Sequence, residues 1–195
     1  GYTASFSDKN VDTVKAVSVS GISITGGADA GNYTLSNTTA ATTADITPAL
    51  LAVSFTTDAN KTYNGSATAA ITGRTLDGVI NLEVVGVTGG SATFADKHIG
   101  LNKTVTATGF TLTGADEGNY TIGTINTTTG NVNPRTITIT AATDSKIYDG
   151  TVGSTGIPTI TSSFSPAIEA VDTPNFTQTY DNKNVGTGKM LTPDG

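Results

Sequence analysis

The side chains of this chain that could bind or react are few, and most of them recur. Aspartates stand at Asp8, Asp29, Asp96 and Asp116, each inside a short run containing Gly, Asn or Lys. Loop carboxylates and backbone carbonyls are the hard oxygen donors that calcium takes, about six to eight at a time. Each run offers one shared carboxylate and no Asp-x-Asp spacing, so turn-forming aspartates bonded to nearby backbone N–H groups are the expectation, with no metal. His98 is the one histidine, and Asn10 and Asn184 occupy the corresponding places in two similar runs, so it reads as an exposed turn residue. Asp116-Glu117 are adjacent carboxylates, but the matching run has Asp29-Ala30, and a solvated turn explains both. There is no cysteine and no Gly-x-Ser-x-Gly, so a nucleophilic triad lacks its parts. The chain does not read as an enzyme, and no cofactor is expected.

What must position these residues is a repeat. Phe6-Ser7-Asp8-Lys9-Asn10-Val11 returns as Phe94-Ala95-Asp96-Lys97-His98-Ile99, and more loosely as Tyr180-Asp181-Asn182-Lys183-Asn184-Val185, at spacings of 88 and 86 residues. Gly27-Ala28-Asp29-Ala30-Gly31-Asn32-Tyr33-Thr34-Leu35 returns 87 residues later as Gly114-Ala115-Asp116-Glu117-Gly118-Asn119-Tyr120-Thr121-Ile122. Lys61-Thr62-Tyr63-Asn64-Gly65 pairs with Lys146-Ile147-Tyr148-Asp149-Gly150 at 85. Landmarks in one order at one period identify an array with a unit of about 86 residues. Cut at Pro48 and Pro134, it gives the C-terminal part of a repeat (1–47), a complete module (48–133) and the N-terminal part of a third (134–195). The segment reads as a piece of a longer polypeptide, and 48–133 as a unit able to fold alone.

Composition narrows the partners. Charged residues are 13% of the 195, hydrophobic ones 36%, and the net charge is −6. The ten Lys and Arg are scattered, so nothing would neutralise a phosphate backbone, and nucleic acid is excluded as a partner. No apolar run approaches the roughly 20 residues that span a bilayer, so no membrane insertion is expected in this segment. Asn-x-Ser/Thr sequons are frequent, Asn32 and Asn119 among them, in a chain rich in Thr.

Apolar residues alternating with Thr or Ser, as in Thr136–Thr140 and Ala49–Phe55, indicate strands. Further strands are expected at Val79–Val85, Lys103–Thr108, Phe110–Leu112 and Tyr120–Ile122, and no helix longer than two turns. Asn64-Gly65 and Asp149-Gly150 suit tight hairpin turns, with Tyr63 and Tyr148 packed over them. Asp-x-Gly-x-Tyr-x-apolar at Asp29, Gly31, Tyr33 and at Asp116, Gly118, Tyr120 is similar to the tyrosine corner of immunoglobulin-like sandwiches. Tyr33 and Tyr120 are therefore expected in equivalent, largely buried places. The fold class is all-β: tandem small immunoglobulin-like β-sandwich modules in an elongated array, with β-grasp-like modules as the alternative.

The three ordered landmarks resemble the YDG-type repeats, related to MBG repeats, of large secreted bacterial adhesins such as filamentous-haemagglutinin-like surface proteins. Asn64 stands where the family has Asp, and His98 where Asn is usual. The resemblance implies an extracellular or cell-surface location and a stalk or adhesive role, and it carries over no catalytic residue. Phe6, Lys9, Phe94 and Lys97 are then structural, as are the Tyr-Asn/Asp-Gly and Asp-x-Gly-Asn-Tyr residues. The favoured function is a stalk or filament segment whose partners are neighbouring repeats of the same or identical chains. The alternatives are a module binding surface glycans or matrix, and a fibre subunit that self-associates by strand addition.

Overall fold

A computed structural model of the protein describes residues 1–195. The chain is all-β, with fifteen strands and two three-residue 3-10 turns, Ala30–Asn32 and Glu117–Asn119. The first repeat holds β1 (Thr3–Phe6), β2 (Asp12–Ser20) and β3 (Ala40–Ile46). The central one holds β4 (Ala49–Thr57), β5 (Asn60–Thr62), β6 (Thr68–Ala69), β7 (Ile71–Asp77), β8 (Gly86–Phe94), β9 (Gly100–Thr113), β10 (Tyr120–Ile125) and β11 (Thr128–Asn133). The third holds β12 (Thr138–Thr140), β13 (Thr159–Thr161), β14 (Thr177–Tyr180) and β15 (Leu191–Asp194).

Strand order is β1-β2-β3 in one sheet, β10-β4-β7 in a second and β5-β11-β9-β8-β6 in a third, with β12-β13 and β14-β15 as separate pairs. In the central repeat the chain changes sheets five times, through short breaks from β4 to β5, from β6 to β7 and from β10 to β11 and through longer loops from β7 to β8 and from β9 to β10. Two pairings are parallel. Tyr120 lies opposite Ala49 where β10 runs beside β4, and Val132 opposite Lys61 where β11 runs beside β5.

By contacts the chain divides into two compact units, residues 1–57, 70–92 and 106–128, and residues 58–69, 93–105 and 129–195. In the first, period-two alternation along β4 buries Leu51, Val53 and Phe55 while Ser54 and Thr56 face away. Ala92, Ala107 and Tyr120 complete that core, and the Phe55 and Phe110 rings meet at a centroid distance of 6.1 Å. In the second, Ala69, Phe94, Val105 and Val132 are buried with one polar side chain, Gln178. The Gln178 amide is satisfied by accepting from Ala142 N–H at 2.8 Å and donating to Ala142 O and Ser154 Oγ at 2.9 Å.

Several sequence expectations are corrected. Residues 79–85 form a loop, not a strand: Gly78 and Asn81 take positive φ, and the Ile80 and Val84 N–H groups bond to side chains instead of a neighbouring strand. Lys103–Thr108 and Phe110–Leu112 belong to one continuous strand, β9. Of Thr136–Thr140 only the last three residues are in β12. Asn64-Gly65 does not close a hairpin, because β5 and β6 on either side of it go to opposite edges of the five-stranded sheet.

Candidate functional site

The repeated motifs are turns locked by lysines. In the first, Asp8 Oδ1 accepts from Asn10 N–H at 2.8 Å, Asp96 Oδ1 from His98 N–H at 2.7 Å and Asn182 Oδ1 from Asn184 N–H at 3.0 Å. A second lysine then closes each turn. Lys15, itself buried, pairs with Asp8 at 2.7 Å; Lys103 pairs with Asp96 and donates to His98 O; Lys189 donates to Asn182 Oδ1 and Asn184 O. Hydrogen bonds from Lys15 and Lys103 are the largest causes holding the Asp8 and Asp96 carboxyls below their ordinary range. Sequence reasoning missed these lysines, although each lies seven residues after the turn's Asp or Asn in all three copies.

The Tyr-Asn/Asp-Gly turn is closed in the same way. Lys61 Nζ donates to Ser66 O and Thr68 O at 2.6 and 2.7 Å and lies 5.7 Å from the Phe94 ring centroid. Lys146 donates to Thr151 O and Gly153 O at 2.9 and 2.8 Å and lies 5.5 Å from the Tyr180 ring. The Phe-x-Asp-Lys and Tyr-Asn/Asp-Gly landmarks are thus packed on each other, cation over aromatic. Asp149, where the other copy has Asn64, is pulled down to about 2, first by the Thr151 N–H and then by Lys146.

The third landmark shows what lies around the turns. Asp116 Oδ2 accepts from Val84 N–H at 2.9 Å, and Asn119 Oδ1 accepts from Val11 N–H at 2.9 Å. Tyr120 is 6% exposed; its hydroxyl accepts from Ile80 N–H at 3.0 Å and donates to Glu83. Glu83 also receives Lys9, whose Nζ lies 3.6 Å from Asp116. The Lys9 bond, then the Tyr120 bond, lowers the Glu83 carboxyl; Glu83 raises the Lys9 ammonium, and burial raises the Tyr120 hydroxyl. Gly114 has φ +117°, and a Cβ there would stand 2.2 Å from Val84 O, so only glycine fits. Tyr33, in the matching motif, is 70% exposed, which corrects the expectation of two equivalent buried rings. The segments that cover Tyr120 are β4 and the 80–83 loop.

Lys9 therefore joins the first repeat to a loop of the central one, and a corresponding contact joins the central repeat to the third. Tyr63 donates to Asp172 Oδ1 at 2.9 Å, and Lys97 reaches the same oxygen at 3.4 Å while lying 5.7 Å from the Tyr63 ring. Tyr63, then Asp172, raises the Lys97 ammonium. Tyr63 faces this junction. The counterpart of Glu83 is Glu169, taken instead by Arg135, whose guanidinium also stacks 4.8 Å from Phe164. Ala49 stands where Arg135 would fall one repeat earlier, which leaves Glu83 free for Lys9. Both receiving loops carry one pattern, Leu82-Glu83-Val84-Val85 and Ile168-Glu169-Ala170-Val171. Its period equals that of the landmarks, and that was the signal available in the sequence.

Chemically, this arrangement ties lysines to carboxylates across repeats. The aspartates considered for calcium are engaged: Asp8 and Asp96 by lysines and their own turns, Asp116 by Val84 N–H and Lys9, Asp29 by Asn32 Nδ2 at 3.4 Å. His98 is exposed. Among the remaining motif residues, Gly31 and Gly118 lie in the exposed 3-10 turns, Phe6 is 40% exposed, and Phe94 is buried beneath Lys61. The YDG domain family matches residues 1–42, 47–130 and 133–195. No curated protein and no solved structure matches the chain.

Proposed function

The chain belongs to the YDG domain family, and from that premise we propose that it is a stalk or filament segment of an extracellular bacterial adhesin, spacing or displaying a binding region. The observation that carries this reading is the lysine of the Phe-x-Asp-Lys turn, which in two successive copies reaches a carboxylate in a loop of the following repeat. A lysine at one motif position that twice reaches a carboxylate of the following repeat, Glu83 in one copy and Asp172 in the next, serves assembly in series, where stability is the sum of each unit and its nearest-neighbour contacts. The motif side chains hold turns and junctions, which supports a structural role over a catalytic one.

The modules of this reading are small two-sheet β units in tandem. Strands that change sheets in the central repeat, and an inward-alternating core, support an immunoglobulin-like sandwich plan. The parallel β10–β4 and β11–β5 pairings are foreign to a wholly antiparallel sandwich and keep a β-grasp-like plan as the alternative.

The test separates spacing from binding. In the parent adhesin on its cell surface, exchanging this segment for an unrelated β-repeat stretch of equal length should preserve adhesion, whereas deleting it should weaken adhesion. Loss on exchange as complete as on deletion would place the binding in the segment itself, as a glycan- or matrix-binding module.

A further inference from the structure

We infer that the open groove at the third repeat's Tyr148, Lys183 and Val185 is the seat for the Leu/Ile-Glu-x-Val loop of a further YDG unit. The inference deepens the proposed stalk function and rests on its premise that units stand in series.

The argument compares two copies of one surface. In the covered copy, Tyr63, Gly65 and Lys97 of the central repeat meet the third repeat's 167–174 segment, while Ile99, 60% exposed, stands at the edge of the same space. Tyr63 and Lys97 hold Asp172, and the Glu169 side chain lies so near Gly65 that a Cβ would come within 3.0 Å of its Cγ. The space left there is about 310 Å³. One period later stand Tyr148, Gly150, Lys183 and Val185. They have the same types and order, and Lys146 and Asp149 build the same turn. Nothing lies over them: Tyr148 is 58% and Val185 88% exposed, a Cβ on Gly150 would meet no atom within 4 Å, and the groove is about 670 Å³.

The groove thus presents a tyrosine hydroxyl, a free ammonium and an aliphatic side chain in an arrangement that, one repeat earlier, receives a loop carboxylate. Both loops of this pattern in the chain are already held, Glu83 by Lys9 and Tyr120, and Asp172 by Lys97 and Tyr63. The occupant is accordingly a unit beyond these, presenting an apolar-Glu-x-Val loop with a carboxylate at the Glu169 or Asp172 position.

The test lengthens the chain in register. Gly195 falls 86 residues after Gly109, so residues 110–195 appended after Gly195 continue the period in register and add another loop. A Thr187→Ser marker in the appended copy keeps the two Lys183 peptides distinct, and lysine acylation rates are read by mass spectrometry. In the 195-residue chain Lys183 should react faster than Lys97. In the lengthened chain its rate should fall about threefold or more, the scale of a partly exposed ion pair, to that of Lys97, while the appended lysine stays fast. Asp172→Asn together with Glu169→Gln in the appended copy should restore the fast rate. An unchanged Lys183 rate in the lengthened chain overturns the inference, as does protection that survives both substitutions. So does protection of Lys183 by soluble polysaccharides in the 195-residue chain without protection by the appended unit, since the groove would then be a glycan site. None of these outcomes depends on the adhesion of exchanged or deleted cells, so the stalk reading stands or falls separately.

Discussion

Tyr33 and Tyr120 end the same turn, Asp-x-Gly-Asn-Tyr, and both turns form the same three-residue 3-10 segment with nearly identical flanking dihedrals. One ring is 70% exposed and the other 6%. The glycines that open the two motifs differ likewise: Gly27 and Gly114 both have positive φ, but only Gly114 has a neighbour, the Val84 carbonyl. Tyr63-Asn64-Gly65 and Tyr148-Asp149-Gly150 repeat the contrast, covered in the central copy and bare in the third. The comparison teaches that the motif determines the local backbone by itself, while burial of its tyrosine is conferred by strands and loops far away in sequence.

The largest effect should separate Gly114 from Gly27. Gly114→Ala forces a Cβ onto the Val84 carbonyl in a left-handed backbone and should cost about 3 kcal/mol in urea unfolding. Gly27→Ala meets only the backbone penalty and should cost about 1 kcal/mol. Equal costs would break the comparison. Next, Tyr120→Phe leaves Ile80 N–H and Glu83 without their shared hydroxyl and should lower the Tm by roughly 3 to 8 °C, whereas Tyr33→Phe should leave it unchanged.

A smaller, pH-dependent effect distinguishes Asp149 from Asn64. The Asp149 carboxyl is depressed from 3.8 to about 2 in the folded chain. Its contribution is therefore complete above its unfolded value and is lost as pH falls through about 2. Amide resonances of Gly150 and Thr151 should move as pH falls through about 2 while those of Gly65 and Ser66 hold still, and Asp149→Asn should abolish the movement. The smallest effect concerns the junction lysines. Lys97→Ala should lower the Tm by about 1 to 2 °C and more weakly at high salt, and Lys183→Ala should change nothing in the 195-residue chain.

Much of the fold was legible because it is local. Alternation placed β4 around Leu51, Val53 and Phe55, since the pleat sends every second side chain to one face. The period also marked the turns at Asp8, Asp96 and Asn182. It misled at Val79–Val85, where an apolar run resembles a strand but its N–H groups are claimed by the Tyr120 hydroxyl and the Asp116 carboxylate, both more than 30 residues away. Lys15, Lys103 and Lys189 were open to the same count as their landmarks, and they escaped notice because a solitary lysine carries no turn signal of its own.

By itself the sequence determined that the chain is all-β, with turns whose φ, side-chain caps and latching lysines follow from residues within a few positions of one another. Short-range bonds close wherever the motif occurs, so each copy builds nearly the same turn. Only the tertiary structure decided which copies are covered, that Asn64-Gly65 joins two sheet edges, and that Lys9 takes Glu83 while Lys97 takes Asp172. Those outcomes depend on which distant segment reaches the turn and on whether another cation, as Arg135 does with Glu169, has already claimed the nearer carboxylate.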